Sequence, residues 1–149
     1  TESRAAEGGR IEGVLRGLID EIAGLAEAAA ARASAKSHET RARLLERIGE
    51  LTGEVPALSE ERLAQEVAVL IVRADVTEEI DRIAAHIAAA RDLFGEGGAG
   101  GRRLDFLCQE FAREANTICS KAGDVALARI GLDLKVAIDR FREQVQNIE

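Results

Sequence analysis

Aromatic residues are almost absent: the 149-residue chain holds four phenylalanines and no tyrosine or tryptophan. Proline occurs once, at Pro56, and methionine not at all. A chain so poor in aromatics and proline, and dominated by alanine and charged residues, is helix-forming material. The missing methionine, at position 1 as elsewhere, leads us to expect a fragment of a longer product. Long apolar runs are missing too. The longest, Val67 to Val72, falls far short of the roughly 20 residues that span a bilayer. No signal-like leader opens the chain, so the expected setting is soluble and cytoplasmic. Cysteine is limited to Cys108 and Cys119. On one helix these share a face but stand about 16 Å apart along the axis, too far for a disulfide, and they read as small core residues. Positive charge is also short. A net charge of −7 argues against a free-standing nucleic-acid module, whose affinity comes from Lys and Arg neutralising phosphates. A role on nucleic acid requires basic residues clustered locally, or basic surface supplied by another domain or subunit.

What is present is helical periodicity. Ile11, Leu15, Leu18, Ile22, Leu25 and Ala29 alternate steps of four and three, a coiled-coil-like seam. The pattern resumes at Leu44, Ile48 and Leu51, and whether one helix runs throughout is left open. Thr52 to Leu58 reads as a turn, and Ser59 as the N-cap of a helix with Glu60 and Glu61 in its first turn. That second helix is expected to run from about Glu60 to Phe94 and to pair with the first as a long antiparallel hairpin. Gly95 to Gly101, reading GEGGAGG, is expected to be a flexible linker, since no strand precedes it and no phosphate-loop lysine follows. A third helix follows, with Leu104, Leu107, Cys108, Phe111, Ala115 and Ile118 on one face. After a break near Gly123 and Asp124, a fourth carries Leu127, Ile130, Leu134, Ile138, Phe141 and Val145. The expectation is a single all-α domain over residues 1–149: a long antiparallel helical hairpin plus two further helices in an irregular bundle.

Two polar stripes flank the apolar faces. Asp75, Glu79, Arg82 and His86 follow one another by four, three and four, which places them within about a 60° sector of one helix. Glu78 and Asp81 add carboxylates beside them. Glu110, Glu114, Thr117 and Lys121 repeat the spacing, with Arg103 on the same face and Arg113 adjacent. If the helices pack side by side, the stripes face each other. Carboxylates and an imidazole are ligands suited to Mg²⁺ or Mn²⁺, and Arg and Lys at adjoining turns can hold phosphates. The plainer alternative is that Glu and Arg four apart on alanine-rich helices are solvated pairs worth a few tenths of a kcal/mol. His38, between polar neighbours, reads as a surface residue.

The segment from Gly101 to Lys121, GRRLDFLCQEFAREANTICSK, closely resembles the signature of the YicC-like endoribonuclease family. The likeness continues through RADVTEEIDRIAAH (Arg73 to His86) and LDLKVAIDRFREQVQNIE (Leu132 to Glu149), and more loosely back to Glu7, so it covers essentially the whole chain. Glycines stand where the family often has a charged connector before the GR dipeptide. The resemblance is to the C-terminal half of the family's proteins and implies that a separate N-terminal domain is absent here. It further implies a metal-dependent enzyme, using Mn²⁺ or Mg²⁺, that cleaves single-stranded or small regulatory RNA as a homo-oligomer, a hexamer. The motif positions that match are Asp75, Glu78, Glu79, Asp81, Arg82 and His86 in the first stripe. In the second region they are Arg103, Asp105, Gln109, Glu110 and Arg113, then Glu114, Asn116, Thr117, Ser120 and Lys121. Within this set, the stripe geometry nominates Glu79, His86, Glu110 and Glu114 as catalytic residues and metal ligands. Arg82, Arg103, Arg113 and Lys121 are nominated to hold RNA phosphates. Two other roles stay open: a helical oligomerisation and RNA-clamping scaffold without its own catalysis, and a coiled-coil interaction protein.

Overall fold

The opening segment holds seven glycines, which disfavour a helix, but also the alanine-rich stretch Ala26 to Ala35 and no proline, and alanine is the best helix former. In the computed structural model, which describes residues 2–54, 59–96 and 98–148, α1 runs unbroken from Glu2 to Glu54. Its 53 residues correspond to about 80 Å of rise. The expected turn is therefore shorter than Thr52 to Leu58: Thr52 to Glu54 are helical, and residues 55–58 lie outside the described residues. Helix α2 spans Glu60–Ala74, and Ser59 caps it as expected, its hydroxyl accepting the Arg62 N–H at 3.3 Å.

The helix expected from Glu60 to Phe94 is broken in two. Asp75 leaves the helical conformation at φ −75° and ψ 124°, and α3 spans Thr77–Leu93. The cause is a short polar side chain competing for backbone donors: the Asp75 carboxylate accepts the Thr77 N–H at 2.9 Å and the Thr77 hydroxyl at 2.6 Å. Val76, just inside the break, is fully packed. Gly95, with φ +89°, ends α3 in the left-handed conformation that favours glycine. Helix α4 then spans Gly98–Lys121, which corrects the expected linker: Gly98 to Gly101 form the first turn of α4, Gly100 and Gly101 are buried, and Gly97 is outside the described residues. Helix α5 spans Val125–Ile148 and is capped by Asp124, whose carboxylate accepts the Leu127 N–H at 3.2 Å.

Four of these helices close around one core. Helix α1 lies against α3 and α5, and α4 completes the ring between them. The core comprises Leu15, Ile19 and Ile22 of α1, Ile80, Ile83 and Ile87 of α3, Phe111 and Ile118 of α4, and Leu134, Ile138 and Phe141 of α5. The expected α1 seam is thus rotated slightly: Ile19 and Ala26 are buried, while Ile11, Leu18 and Leu25 pack at its edge. Helices α4 and α5 approach closely at Gly131, where an added Cβ would stand 2.8 Å from the Cys119 Sγ. Cys108 is buried and Cys119 half-buried, both as free thiols, and burial pushes the Cys108 thiol up to about 12. The C-terminal part of α1 pairs with α2 in a projecting hairpin in which Ile48 is the single buried residue among those described. No described helix is long and apolar enough to cross a membrane.

Candidate functional site

The connection at Gly95 returns α4 alongside α3, so the two polar stripes expected from spacing face each other across the α3–α4 seam. Each stripe lies one position from the buried apolar row of its helix, and one carboxylate of each is drawn under the surface. Glu79 is 4% exposed and Glu114 3%. Burying a carboxylate is costly without a partner, and here each is met by a cation from the opposite helix. Lys121 of α4 donates to the Glu79 Oε1 at 2.7 Å, and the Arg82 Nη1 of α3 stands 3.5 Å from the Glu114 Oε1. The arrangement is crossed: acid to base in one turn, base to acid in the next.

The cations sit at the outer edge. The Arg82 side chain is half exposed and the Lys121 side chain about a third. Arg82 also donates from Nη2 to the Glu78 carboxylate. Lys121 reaches the Asp75 carbonyl oxygen at 3.4 Å, an acceptor freed because the helix breaks there. Asp75 was expected as a stripe carboxylate; its structural part is to open α2–α3 and turn a backbone acceptor toward Lys121. The residue pair Asp75 and Thr77 was the only local signal of that break. Thr77's hydroxyl and N–H, together with the charge of Lys121, hold the Asp75 carboxyl below its ordinary value.

His86 lies farther along α3, half-buried, its ring edge-on to Phe111 with centroids 5.9 Å apart. Its Nε2 is buried without a hydrogen-bond partner among the described residues, as are the Glu79 Oε2 and the Asp105 Oδ1. Thr117 turns its hydroxyl back to the Arg113 carbonyl at 3.1 Å. Arg103 and Arg113 are exposed and Glu110 is half-buried, and none of the three joins an ion pair among the described residues. The structure thus brings Glu79, Arg82, Glu114 and Lys121 together and leaves Arg103, Glu110 and Arg113 outside that cluster.

The expected ligand set of Glu79, His86, Glu110 and Glu114 is not assembled around one point. No three His, Cys, Asp or Glu side chains among the described residues stand where they could share an ion. The reason lies in helix geometry and charge: Glu79 and His86 are seven residues apart, about 10 Å along α3, and both buried carboxylates already face a cation. These residues do not fit a resident divalent ion within one chain. What they can do without one is hold a phosphate at the exposed cations and move a proton at the unpartnered Nε2 and Oε2.

The chain is similar to known proteins. Residues 29–149 match the family described as Endoribonuclease YicC-like, C-terminal. A protein of Haemophilus influenzae named probable endoribonuclease YicC is 35% identical over 146 residues, which is 98% of this chain and 50% of that protein. Its namesake in Clostridioides difficile strain 630 is 34% identical over 148 residues, 99% of this chain and again 50% of the relative. The chain therefore spans about half the length of these relatives.

Proposed function

The chain belongs to the YicC-like endoribonuclease family, and from that premise we propose that it is the helical half of an enzyme that cleaves RNA phosphodiester bonds at the α3–α4 seam. The observation that carries the placement is the crossed pair of buried carboxylates with outward-facing cations. Folding alone does not call for it. Apolar residues of similar volume usually serve stability as well as a buried ion pair does, and among the described residues the buried Glu79 Oε2 and His86 Nε2 have no protein partner.

In this reading Arg82 and Lys121 hold the scissile phosphate. A guanidinium has five N–H donors and an ammonium three, so each cation keeps donors free for phosphate oxygens while still neutralising its buried carboxylate. Arg103 and Arg113, exposed on α4, hold adjoining phosphates. Cleavage requires that the attacking oxygen lose a proton and the leaving oxygen gain one. His86 is proposed for one of these transfers and Glu79 for the other. Glu114 keeps Arg82 in place, and Glu110 borders the site. No step is assigned to the Mn²⁺ or Mg²⁺ that the resemblance implies; cleavage measured with and without a chelator reads that requirement separately.

The test is cleavage of a labelled single-stranded RNA by the full-length protein. His86→Ala and Glu79→Gln are each expected to lower the rate by about 100-fold or more while far-UV circular dichroism is unchanged. Wild-type rates in both variants would overturn the placement. One observation favours an additional role as an oligomerisation and RNA-clamping scaffold: α2 buries none of its residues and presents Val69, Leu70 and Val72 to solvent, Val72 at 72% exposure. Sedimentation of the chain as an oligomer, a hexamer in the family reading, supports that role, and a monomer at tens of micromolar rules it out.

A further inference from the structure

The outer side of α4 carries an aromatic ring that the cleavage chemistry does not use. Phe106 is 58% exposed, whereas Phe111 and Phe141 are fully buried and Phe94 packs against the core, so it is the one phenylalanine left in solvent. Its surroundings differ in charge from the rest of the molecule. The exposed residues of α4 among those described are Arg102, Arg103, Arg113, Phe106 and three uncharged polar residues, without one acid, in a chain of net charge −7. None of the three arginines joins an ion pair among the described residues. The acids of α4 are Asp105 and Glu110, both half-buried, and Glu114, buried beside Arg82.

The place of the ring along the seam follows from register. Helices α3 and α4 run antiparallel, pairing Glu79 with Lys121, Arg82 with Glu114 and His86 with Phe111. Phe106 precedes Phe111 by five residues, so it stands about 7.5 Å beyond the level of His86 along the axis of α4. Over that stretch α3 holds no acid between Arg82 and Asp92, and Ala85 and Ala89, three and seven residues after Arg82, are too small to cover the ring. Arg103, Phe106 and Arg113 lie on one side of α4, with the half-buried Glu110 between them, so the ring has a free guanidinium before and after it.

We propose that Phe106 is the platform on which an unpaired base of the RNA stacks beside the scissile bond, while Arg103 and Arg113 hold the phosphates to either side. The inference rests on the RNA-cleaving reading above and adds the residue that positions the strand against His86. A phenyl face accepts any base, because every base presents a π-face, so this contact is tolerant of sequence but requires that the base be free of a duplex. Phe106 is thus a positioning residue and takes no part in proton transfer.

The test uses the full-length protein and a labelled single-stranded RNA whose cleavage position has been mapped. A companion set of substrates carries one abasic nucleotide at each position flanking the cut. Phe106→Ala is expected to raise KM about tenfold, the loss of one stacked base, with most of the effect in KM and little in kcat. Phe106→Trp is expected to retain the wild-type KM, and Phe106→Leu, which keeps apolar bulk but has no π-face, to behave as Phe106→Ala. At one position the abasic nucleotide is expected to cost wild type about tenfold and Phe106→Ala less than twofold, a coupling that a purely structural role would not produce. Wild-type KM in Phe106→Ala overturns the stacking assignment and leaves the cleavage reading standing. Abasic substrates that cost both proteins equally at every position overturn it as well. A smaller sedimenting species for Phe106→Ala than for wild type means that a second copy of the chain covers the ring, and overturns it too. Wild-type protein that cleaves no RNA overturns the parent reading and this one together.

Discussion

Glu79 is held under the surface by a single strong partner, and that makes Lys121 the residue on which its burial depends. Lys121→Ala leaves a buried carboxylate uncompensated. Because the ammonium is itself about a third exposed, the cost is expected at about 1–3 kcal/mol, below that of a fully enclosed pair, and urea denaturation measures it. Adding Glu79→Gln in the same protein is expected to restore part of the loss, since the stranded charge is then gone. No recovery in the double variant would mean that Lys121 acts through packing and not through charge. Asp124 offers a residue-scale test with pH. Its bond from Arg32, then the N–H groups of α5, hold its carboxyl below the ordinary value of 3.8. A depressed folded value contributes stability that is fully present above the unfolded value and is lost as pH falls through the folded one. Asp124→Asn keeps a competent helix cap but removes the charge. The stability gap between wild type and this variant is therefore expected to be constant from neutrality to just above pH 4 and to close below it. A gap that persists at lower pH would show that the Arg32 contact is not what stabilises the ion.

At the scale of elements, the close meeting of α4 and α5 depends on one missing methyl. Gly131→Ala gains roughly 1 kcal/mol of helix preference, but the new Cβ meets the Cys119 Sγ at 2.8 Å, and overpacking of this kind costs about 1–3 kcal/mol. The net expectation is a mild loss of stability in thermal denaturation. Cys119→Ala removes the obstacle, so in that background Gly131→Ala is expected to become neutral or stabilising; an equal loss in both backgrounds would refute the contact as its cause. The α2–α3 break shows the limit of reading elements from periodicity. Apolar spacing continues across Asp75, and so predicts one helix, whereas the break is made by local hydrogen bonds to Thr77 that hydrophobic periodicity does not register. The glycine run errs in the opposite direction. Gly100 and Gly101 look like linker because they have nothing to bury, yet they are themselves buried in the first turn of α4.

For the whole molecule, a four-helix core with a projecting hairpin separates two kinds of surface. The bundle side carries the seam between α3 and α4, and the hairpin side carries a groove lined by equal numbers of acids and bases and the unburied apolar residues of α2. Arg32 and Asp124 tie the two parts, since Arg32 sits at the root of the hairpin on α1 and Asp124 in the α4–α5 turn.

Much of this was legible from the sequence alone. A 3.6-residue period dictates which side of each helix is apolar, and a stripe one position away must then lie at the border of whatever core forms; Glu79, Arg82, Glu114 and Lys121 were identified on that basis. The family likeness rested on contiguous motifs and needed no tertiary information either. What only the folded molecule decided is the pairing of groups distant along the chain. Glu79 and Lys121 are 42 residues apart, and Arg32 and Asp124 are 92 apart. Whether a border carboxylate faces water, a metal or a cation depends on the register between helices, and register is set by the packing of their apolar faces, not by either stripe. That packing placed a cation over each buried acid and kept Glu79, His86, Glu110 and Glu114 from converging.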